Sequence, residues 1–279
     1  MTFFVYSTNN MQIQKTIKNL YEFLLEIIFP IQCLNCSKEK TWLCKECFNK
    51  LKPKIANHCV FCEEKTQFGE TCKKCKPKHA LDGAIACIPY SDHLIQSLIH
   101  SWKYNSIEAI TKYLAFFVQS SIKQARHDAR ESSLKIIEQG ISKSILANAT
   151  VIPHILLNEP LIVIPTPLHP NKFKERGFNQ SELLAKSLEN YNPNWEIADI
   201  IQRTKKTTAQ ASLHGVDRIT NIQDAFALKQ PTNKIRGKNF IIIDDVITTG
   251  GTTDTMALLL KRSYAKSVWA LTVAYGHPL

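Results

Sequence analysis

The stretch 240-FIIIDDVITTGGTTDT-255 decides the fold of this chain. It opens with four consecutive apolar residues, Phe240 to Ile243, which is the composition of a central strand buried on both faces of a parallel sheet. The pair Asp244-Asp245 follows directly, and a turn rich in threonine and glycine comes next. In open α/β sheets, ligands bind beyond the carboxyl ends of the strands. We therefore expect a ligand site at this point of the chain.

The residues of this turn suit a phosphorylated ribose. Two adjacent carboxylates can accept hydrogen bonds from the cis-diol of a ribose, directly or through water bound to a metal ion. Hydroxyls, flexible glycines and free backbone N–H groups at a helix start form an anion site of the size of one phosphate. The predicted binding residues are Asp244, Asp245, Thr248, Thr249, Gly250, Gly251 and Thr252.

Two other interpretations of the stretch are weighed against this one. A plain strand-to-helix turn with an incidental pair of aspartates would need no ligand. The apolar run with its aspartates also resembles the Walker B strand of an ATPase, but that class requires a G-x-x-x-x-G-K-[ST] loop, and none of the nine glycines lies in one. The G-x-G-x-x-G pattern of dinucleotide-binding proteins is absent as well.

The rest of the C-terminal part alternates between strand and helix patterns. Such alternation predicts an α/β fold, with a parallel sheet flanked by helices. Predicted strands cover 85–88, 161–164, 240–243 and 267–275, and predicted helices cover 94–104, 107–122, 180–191 and 253–261.

We predict three regions along the chain. Residues 1–30 form an amphipathic helix region that ends at Pro30. Residues 31–79 hold the paired cysteines with few aliphatic residues, so this part needs metal to fold. Residues 80–279 form the α/β domain, with a polar helical insertion over 123–160.

Eight of the nine cysteines fall in four C-x-x-C pairs, the spacing with which two sulfurs from one turn reach a tetrahedral zinc ion. Two structural zinc ions are expected, since four-cysteine sites leave no open position for chemistry. Four pairs can combine in three ways, and disulfides are the alternative to metal. The predicted ligands are Cys33, Cys36, Cys44, Cys47, Cys59, Cys62, Cys72 and Cys75; His58 and His79 could substitute, and Cys87 is expected in the core.

The formal charge of +11 suggests a polyanionic partner. Two zinc ions with four thiolates each would lower it to about +7. Lysines in 31–79 alternate with Trp42, Phe48, Phe61 and Phe68, the combination with which proteins bind single-stranded nucleic acid, although a small core with a solvated face would look the same. The apolar run Leu20 to Ile28 is interrupted by glutamates and too short to span a bilayer, so we expect a cytoplasmic protein.

The segment 241–252 resembles the PRPP (phosphoribosyl pyrophosphate) motif of type I phosphoribosyltransferases. The segments Pro165-Thr166-Pro167-Leu168-His169-Pro170 and Arg176-Gly177-Phe178-Asn179-Gln180 look like the signature of the ComF family, which takes part in DNA uptake during competence. Further residues fall where that family has its usual ones, including Trp102-Lys103-Tyr104 and Arg203.

This resemblance implies PRPP and Mg²⁺ as ligands and a double zinc ribbon with sequential pairing of the cysteines. The turn after the first strand would grip pyrophosphate and a mobile basic loop over 203–218 would close on it. The residues implied are Pro165, Thr166, Pro167, Arg176, Arg203, Lys205 and Arg218. Single-stranded DNA and the helicase machinery of DNA uptake are the implied partners.

Whether phosphoribosyl transfer occurs is left open. Some purine-handling relatives carry an acid where this chain has Thr248, and the chain ends at Leu279 with no evident hood for a nucleobase. A ComF-like accessory protein that binds PRPP is the first hypothesis. The alternatives are an active phosphoribosyltransferase on an unidentified acceptor and a non-enzymatic PRPP sensor.

Overall fold

The structure is a computed structural model that describes residues 30–138, 160–204, 225–229 and 234–276, with side chains of the long helix described to residue 128. The predicted N-terminal helix, Lys205, Arg218 and most of the predicted insertion and basic loop lie outside these residues. The chain divides into two compact units, 1–50 and 51–279. The first four cysteine ligands belong to the first unit and the second four to the second unit.

The first unit contains a short helix, α1, over Lys45–Phe48. Cys44 caps this helix by accepting a hydrogen bond from the backbone of Cys47. The preceding turn is closed by an isolated antiparallel bridge between Gln32 and Glu39. Cysteines therefore lie both at the tip of a turn and at a helix start, which is an arrangement that gathers sulfurs.

The second unit is built on a five-stranded parallel sheet in the order β1-β7-β6-β2-β3. These strands are β1 (Gly83–Pro89), β2 (Leu161–Pro165), β3 (Trp195–Ile197), β6 (Asn239–Ile247) and β7 (Ser267–Tyr275). A separate antiparallel pair joins β4 (Ile201–Arg203) to β5 (Phe226–Leu228). The predicted α/β class with a parallel sheet is confirmed.

Helices cover this sheet. They are α2 (His93–Tyr104), α3 (Thr111–Glu138), α4 (Pro170–Arg176), α5 (Gln180–Glu189) and α6 (Gly251–Arg262), with 3-10 turns over Gln67–Gly69 and Glu108–Ile110. The helix predicted to end near residue 122 continues to Glu138. Among the described residues, no helix has both the length and the hydrophobicity needed to cross a bilayer.

The central strand β6 is longer than the sequence suggests. Phe240 to Ile243 are completely buried, as the apolar run predicts, but the strand does not stop at the aspartates. Val246 and Ile247 continue the ladder by pairing with Ala274 and Tyr275 of β7. On the other side, pairing with β2 ends where Ile243 meets Pro165. The two aspartates therefore lie on a strand that is still paired on one side and already open on the other.

The segment that follows Lys50 packs directly on the sheet. Backbone N–H groups of Lys54 and Ala56 donate to carbonyls of β1, at 2.8 and 3.0 Å. Gly69 has φ +73°, and a Cβ at this position would lie 2.0 Å from the carbonyl oxygen of Ala84. Only glycine allows so close an approach of two backbones. The second cysteine group is thus held by main-chain contacts to β1.

Candidate ribose-phosphate site

Asp244 and Asp245 lie next to each other at the open side of β6, and each has a polar partner. The Oγ of Ser181 donates to Oδ1 of Asp244 at 3.3 Å. The Nζ of Lys103, in the last turn of α2, lies 2.7 Å from Oδ1 of Asp245. Both members of this ion pair are largely buried, with side chains 18% and 13% exposed. The acidic pair therefore comes with a built-in counter-ion.

Burial raises the pKa of Asp244 to about 7, and the negative charge of Asp245 acts in the same direction. The Asp245 backbone N–H, the charge of Lys103 and the hydroxyl of Ser181 oppose this rise only in part. Burial disfavours the charged form of Lys103, but the charge of Asp245, the hydrogen bond to Asp245 and the charge of Asp244 together outweigh it, and the pKa of Lys103 is raised. At neutral pH the site therefore holds a charged lysine beside a carboxyl that is close to its titration point.

The turn after β6 opens toward the start of α6. Gly250 is the N-cap of this helix, with φ +72°, and has no side chain with which to cap the first N–H groups. Thr248 and Thr249 are exposed, while Gly250 is buried. The backbone N–H groups of the first turn of a helix lack partners within the helix, and the helix dipole favours an anion there. The predicted cradle is thus a helix start without a side-chain cap, and its role toward a phosphate stays a prediction.

The predicted pyrophosphate turn begins where β2 ends. The N–H of Thr166 donates to the carbonyl of Ile243 at 2.9 Å, and Nδ2 of Asn179 donates to the carbonyl of Thr166 at 3.1 Å. Asn179 also caps α5 by accepting from the N–H of Ser181. The Oγ1 of Thr166 is buried and has no hydrogen-bond partner within the described ranges. These hydrogen bonds consequently fix the turn beside the acidic pair, and the buried hydroxyl of Thr166 could still bind a ligand.

Arg176 is buried at the end of α4, with 8% of the residue exposed. Its guanidinium donates to Oε1 of Gln180 at 3.0 Å and lies 5.5 Å from the ring centre of Tyr104. The Nε of Arg176 and the Nε2 of Gln180 are buried without partners in the part of the chain that is described. Such unsatisfied donors are costly unless a ligand or water completes them. The predicted role of Arg176 toward pyrophosphate stays a prediction.

Arg203 ends β4 and lies over the ring of Phe226, with 5.3 Å between the guanidinium carbon and the ring centre. Burial lowers the pKa of Arg203, and the charge of Asp244 opposes this shift. Arg203, at the start of the predicted basic loop, therefore lies close enough to Asp244 for the two charges to interact. Lys205 and Arg218 remain expectations outside the described residues.

The eight paired cysteines form two groups of four. Within each group the sulfurs lie within 4.8 Å of one another, in the sequential combination Cys33, Cys36, Cys44, Cys47 and Cys59, Cys62, Cys72, Cys75. Three members of each group are buried and one is exposed. Backbone N–H groups of Cys44 and Cys47 point at sulfurs of the first group, at 3.4 Å each. Four thiols at this separation fit a tetrahedral structural zinc ion.

The histidines near the cysteines have other contacts. The Nδ1 of His79 lies 2.8 Å from Oδ2 of Asp254, and the ring of His58 meets that of Tyr275 edge-on at 5.3 Å. Cys87 is completely buried, and burial raises the pKa of its thiol to about 12. Cys87 is therefore a core thiol, in line with the expectation from sequence.

Lys103 and Ser181 are site residues that sequence patterns alone did not single out. Lys103 lies within Trp102-Lys103-Tyr104, a tripeptide already noted for its family resemblance, and that was the signal for it. Trp102 fixes the end of α2, because it is completely buried and its Nε1 donates to Oγ1 of Thr111 at 2.9 Å. Ser181 follows the cap of α5 and carried no signal of its own.

Several known proteins are similar in sequence to this chain. The family "Phosphoribosyl transferase domain" matches residues 176–278. Competence protein F of Haemophilus influenzae is 25% identical over 253 residues, which are 88% of this chain and 98% of that protein. DNA utilization protein YhgH of Escherichia coli O157:H7 is 37% identical over 118 residues, 41% of this chain and 50% of that one.

Competence protein ComFC of Bacillus subtilis is 32% identical over 115 residues, 40% of this chain and 43% of its own. The chain thus spans half or less of the length of YhgH and ComFC, but nearly all of Competence protein F. The resemblance to the ComF family, with a phosphoribosyl transferase domain and two four-cysteine groups, is confirmed.

Proposed function

We propose that this chain is a ComF-like protein of DNA uptake that binds PRPP at the carboxyl edge of its sheet and contacts single-stranded DNA. The observation that supports the ligand half is the succession of strand β6, the acidic pair Asp244-Asp245 and the uncapped start of α6. In this proposal the acidic pair accepts the ribose diol and the helix start receives the phosphate. The DNA half is supported by the net charge of +11 and by the similarity to Competence protein F and to a DNA utilization protein.

The proposal assigns a group of the protein to each part of PRPP. The ribose hydroxyls would bind to Asp244 and Asp245, and the 5-phosphate to the N–H groups between Thr248 and Thr252. Pyrophosphate would lie toward the turn 165–167, with the positive charges of Lys103 and Arg203 nearby. Carboxylates are the protein ligands that Mg²⁺ prefers, so the acidic pair fits the metal. Bound Mg²⁺ would neutralise charge on the pyrophosphate.

A calorimetric titration with PRPP and Mg²⁺ tests the ligand half. We expect binding, and we expect Asp244→Asn to weaken it strongly, because asparagine retains the shape but not the charge and leaves the ion pair between Lys103 and Asp245 in place. Asp199→Asn, at an exposed aspartate, is the matched control. Absence of binding to the unaltered chain would refute the proposal.

Release of pyrophosphate in the same mixtures distinguishes an active transferase from a PRPP sensor. Activity that requires an added nucleobase, amine or nucleic acid would identify the acceptor. Binding without release would favour the sensor.

The DNA half has its own test. Binding of single-stranded oligonucleotides should weaken steeply as salt rises, since phosphate contacts release counter-ions. No binding at low salt would remove this half and leave the PRPP half intact.

Reduced cysteine groups also suit a reducing compartment, so we place the protein in the cytoplasm, with the DNA-uptake helicase machinery as an expected partner.

A further inference from the structure

A cleft of about 690 Å³ lies in the second unit, away from the acidic pair, and is called here the Phe68 cleft. Its walls are the residues 53–55, 57 and 65–68 of the cysteine-containing part and the residues Gln124, Ala125 and Asp128 of α3. This volume is in the range of sites for small organic ligands. No step of the proposed PRPP chemistry uses it.

Phe68 has a backbone conformation that is unusual for its residue type. Its φ is +52° and its ψ is +29°, the left-handed region that bulky side chains avoid. The next residue, Gly69, also has a positive φ and lies against the backbone of Ala84 in the close approach described above. The ring is left half-buried on the wall of the cleft. Strain of this kind, held in place by surrounding structure, is typical of ligand sites.

The cleft carries positive charge on a fixed backbone. Lys54 and Lys65 are exposed, and neither forms an ion pair with any residue in the described ranges. The backbone N–H of Lys54 donates to the carbonyl of Cys87, and the backbone of Lys65 forms an isolated antiparallel β-bridge with that of His58. The single acidic side chain in the lining, Asp128, accepts from Nε2 of Gln124 at 2.8 Å. Two exposed lysines thus line the same cleft as the ring of Phe68.

Polar groups complete the lining. Asn57 and Gln67 are exposed amides that can donate to and accept from the edge of a base. The Oγ1 of Thr66 is buried and lacks a partner in the described part of the chain. An aromatic face, amides and paired lysines are the elements with which proteins hold a single nucleic acid strand. A duplex keeps its bases stacked on each other and would offer no face to Phe68.

We propose that the Phe68 cleft binds single-stranded DNA, with one base stacked on Phe68 and the adjacent phosphates paired with Lys54 and Lys65. This inference rests on the DNA half of the proposed function, for which it names the site. The proposal also gives different roles to the two phenylalanines near the second cysteine group. Phe68 faces the cleft, whereas Phe61 is stacked on His79 at 3.6 Å and packs against the cysteines.

The test compares two ligands by fluorescence anisotropy with the full-length chain. One is an oligothymidylate of about 15 nucleotides, and the other is the same length of abasic strand. Phe68→Ala should weaken binding of oligothymidylate about tenfold. The same variant should leave binding of the abasic strand unchanged within about twofold, since only the stacked base is lost.

The lysines are tested through salt. Lys54→Ala with Lys65→Ala should reduce the slope of log affinity against log salt concentration by about 1.4, which corresponds to two phosphate contacts on a single strand. The matched control is Lys238→Ala with Lys266→Ala, which removes two exposed lysines outside the cleft and should leave the slope nearly unchanged. PRPP titration of every variant checks that the fold is intact.

Two outcomes overturn the proposal. If the unaltered chain binds oligothymidylate but Phe68→Ala weakens both ligands equally or neither, the DNA site lies elsewhere and the proposed function stands. If the unaltered chain binds no single strand at low salt, the cleft proposal and the DNA half fall together, while PRPP binding is judged separately by calorimetry.

Discussion

The Nδ1 of His79 lies 2.8 Å from Oδ2 of Asp254, so the end of the second cysteine segment is joined to the first turn of α6. The other oxygen of Asp254 accepts from the N–H groups of Ala80 and Leu81, at 2.8 and 3.0 Å. One carboxylate therefore anchors three donors of that segment beside the predicted phosphate cradle.

Replacing this carboxylate should destabilise the protein. In Asp254→Ala, two backbone N–H groups that are now satisfied lose their acceptor, and we expect the free energy of unfolding to fall by about 2 kcal/mol. Urea denaturation measures the change. Asp199→Ala is the control, because its partner Lys229 pairs with it at the surface and such pairs contribute little. Equal stability of the two variants would contradict the anchoring role.

The second cysteine group also touches the cradle through Phe61. A Cβ on Gly250 would lie 3.0 Å from the ring of Phe61 and 3.3 Å from a methyl group of Val60, both between Cys59 and Cys62. Metal at this group should therefore set the position of the cradle. We expect Phe61→Ala, or zinc removal by Cys75→Ser, to weaken binding of ribose 5-phosphate about tenfold, or about 1.4 kcal/mol.

Calorimetry measures this effect, and the zinc content of each variant is measured alongside. Phe68→Ala is the matched control, since Phe68 is a half-buried phenylalanine of the same segment with no described contact to Gly250. Full affinity after loss of zinc from the second group would show that the cradle does not depend on it.

The sequence predicted the acidic pair and the turn that follows it. It did not predict the contacts that Lys103 and Ser181 make with that pair. Four buried apolar residues before two aspartates are a local pattern that predicts a central strand. Because ligands bind beyond the carboxyl ends of strands in open α/β sheets, the same pattern also predicts where the site lies. The ion pair between Lys103 and Asp245 joins α2 to β6, and no local pattern reports such long-range contacts. The strands β3, β4 and β5 have three residues each, too short to show a period of two.

The two cysteine groups make the same point. Their C-x-x-C spacing is the same, so the sequence predicts no difference between the two groups. The backbone bonds of Ala56 and Lys54 to β1 belong to the segment that leads into the second group, and backbone bonds have no side-chain signature. Gly69 was the one visible trace, because a glycine marks a close approach of backbones, but glycines also occur in ordinary turns and at helix ends.

The counter-ion Lys103 should matter more at high pH than at low pH. In Lys103→Met, Asp244 and Asp245 lose their compensating charge in a largely buried place, which destabilises the folded state by about 2 kcal/mol when both are ionised. As pH falls through the raised pKa of Asp244, protonation relieves the repulsion. The loss should therefore shrink at acid pH.

Urea denaturation at about pH 8 and about pH 6 compares the two conditions. Lys112→Met, at an exposed lysine of α3, is the control and should show little change at either pH. A loss in Lys103→Met that is equal at both values would contradict the charge argument.

Ligand binding should improve as pH rises through about 7. The pKa of Asp244 is about 7 in the folded state, above the ordinary value of about 3.9, so the folded protein holds an extra proton between these values. This proton contributes stability that is full at low pH and is lost as pH rises through 7. A ribose diol and Mg²⁺ need the ionised form, so binding at neutral pH should release protons.

Calorimetry of PRPP with Mg²⁺ in buffers of different ionisation enthalpy counts these protons. Asp244→Asn should remove both the proton release and the pH dependence, at the expense of affinity. Proton uptake, or affinity that is the same on both sides of neutrality, would contradict the assignment.

Gly69 offers the sharpest test of how the second cysteine group is attached to the sheet. Gly69→Ala places a Cβ 2.0 Å from the carbonyl oxygen of Ala84, whereas Gly237→Ala, with φ +72°, meets open space. Both variants carry the strain of a left-handed alanine, about 1 kcal/mol, so their difference isolates the backbone clash. We expect Gly69→Ala to be less stable than Gly237→Ala by at least about 2 kcal/mol in urea denaturation. Similar stabilities would mean that the turn over Gln67–Gly69 does not need its close approach to β1.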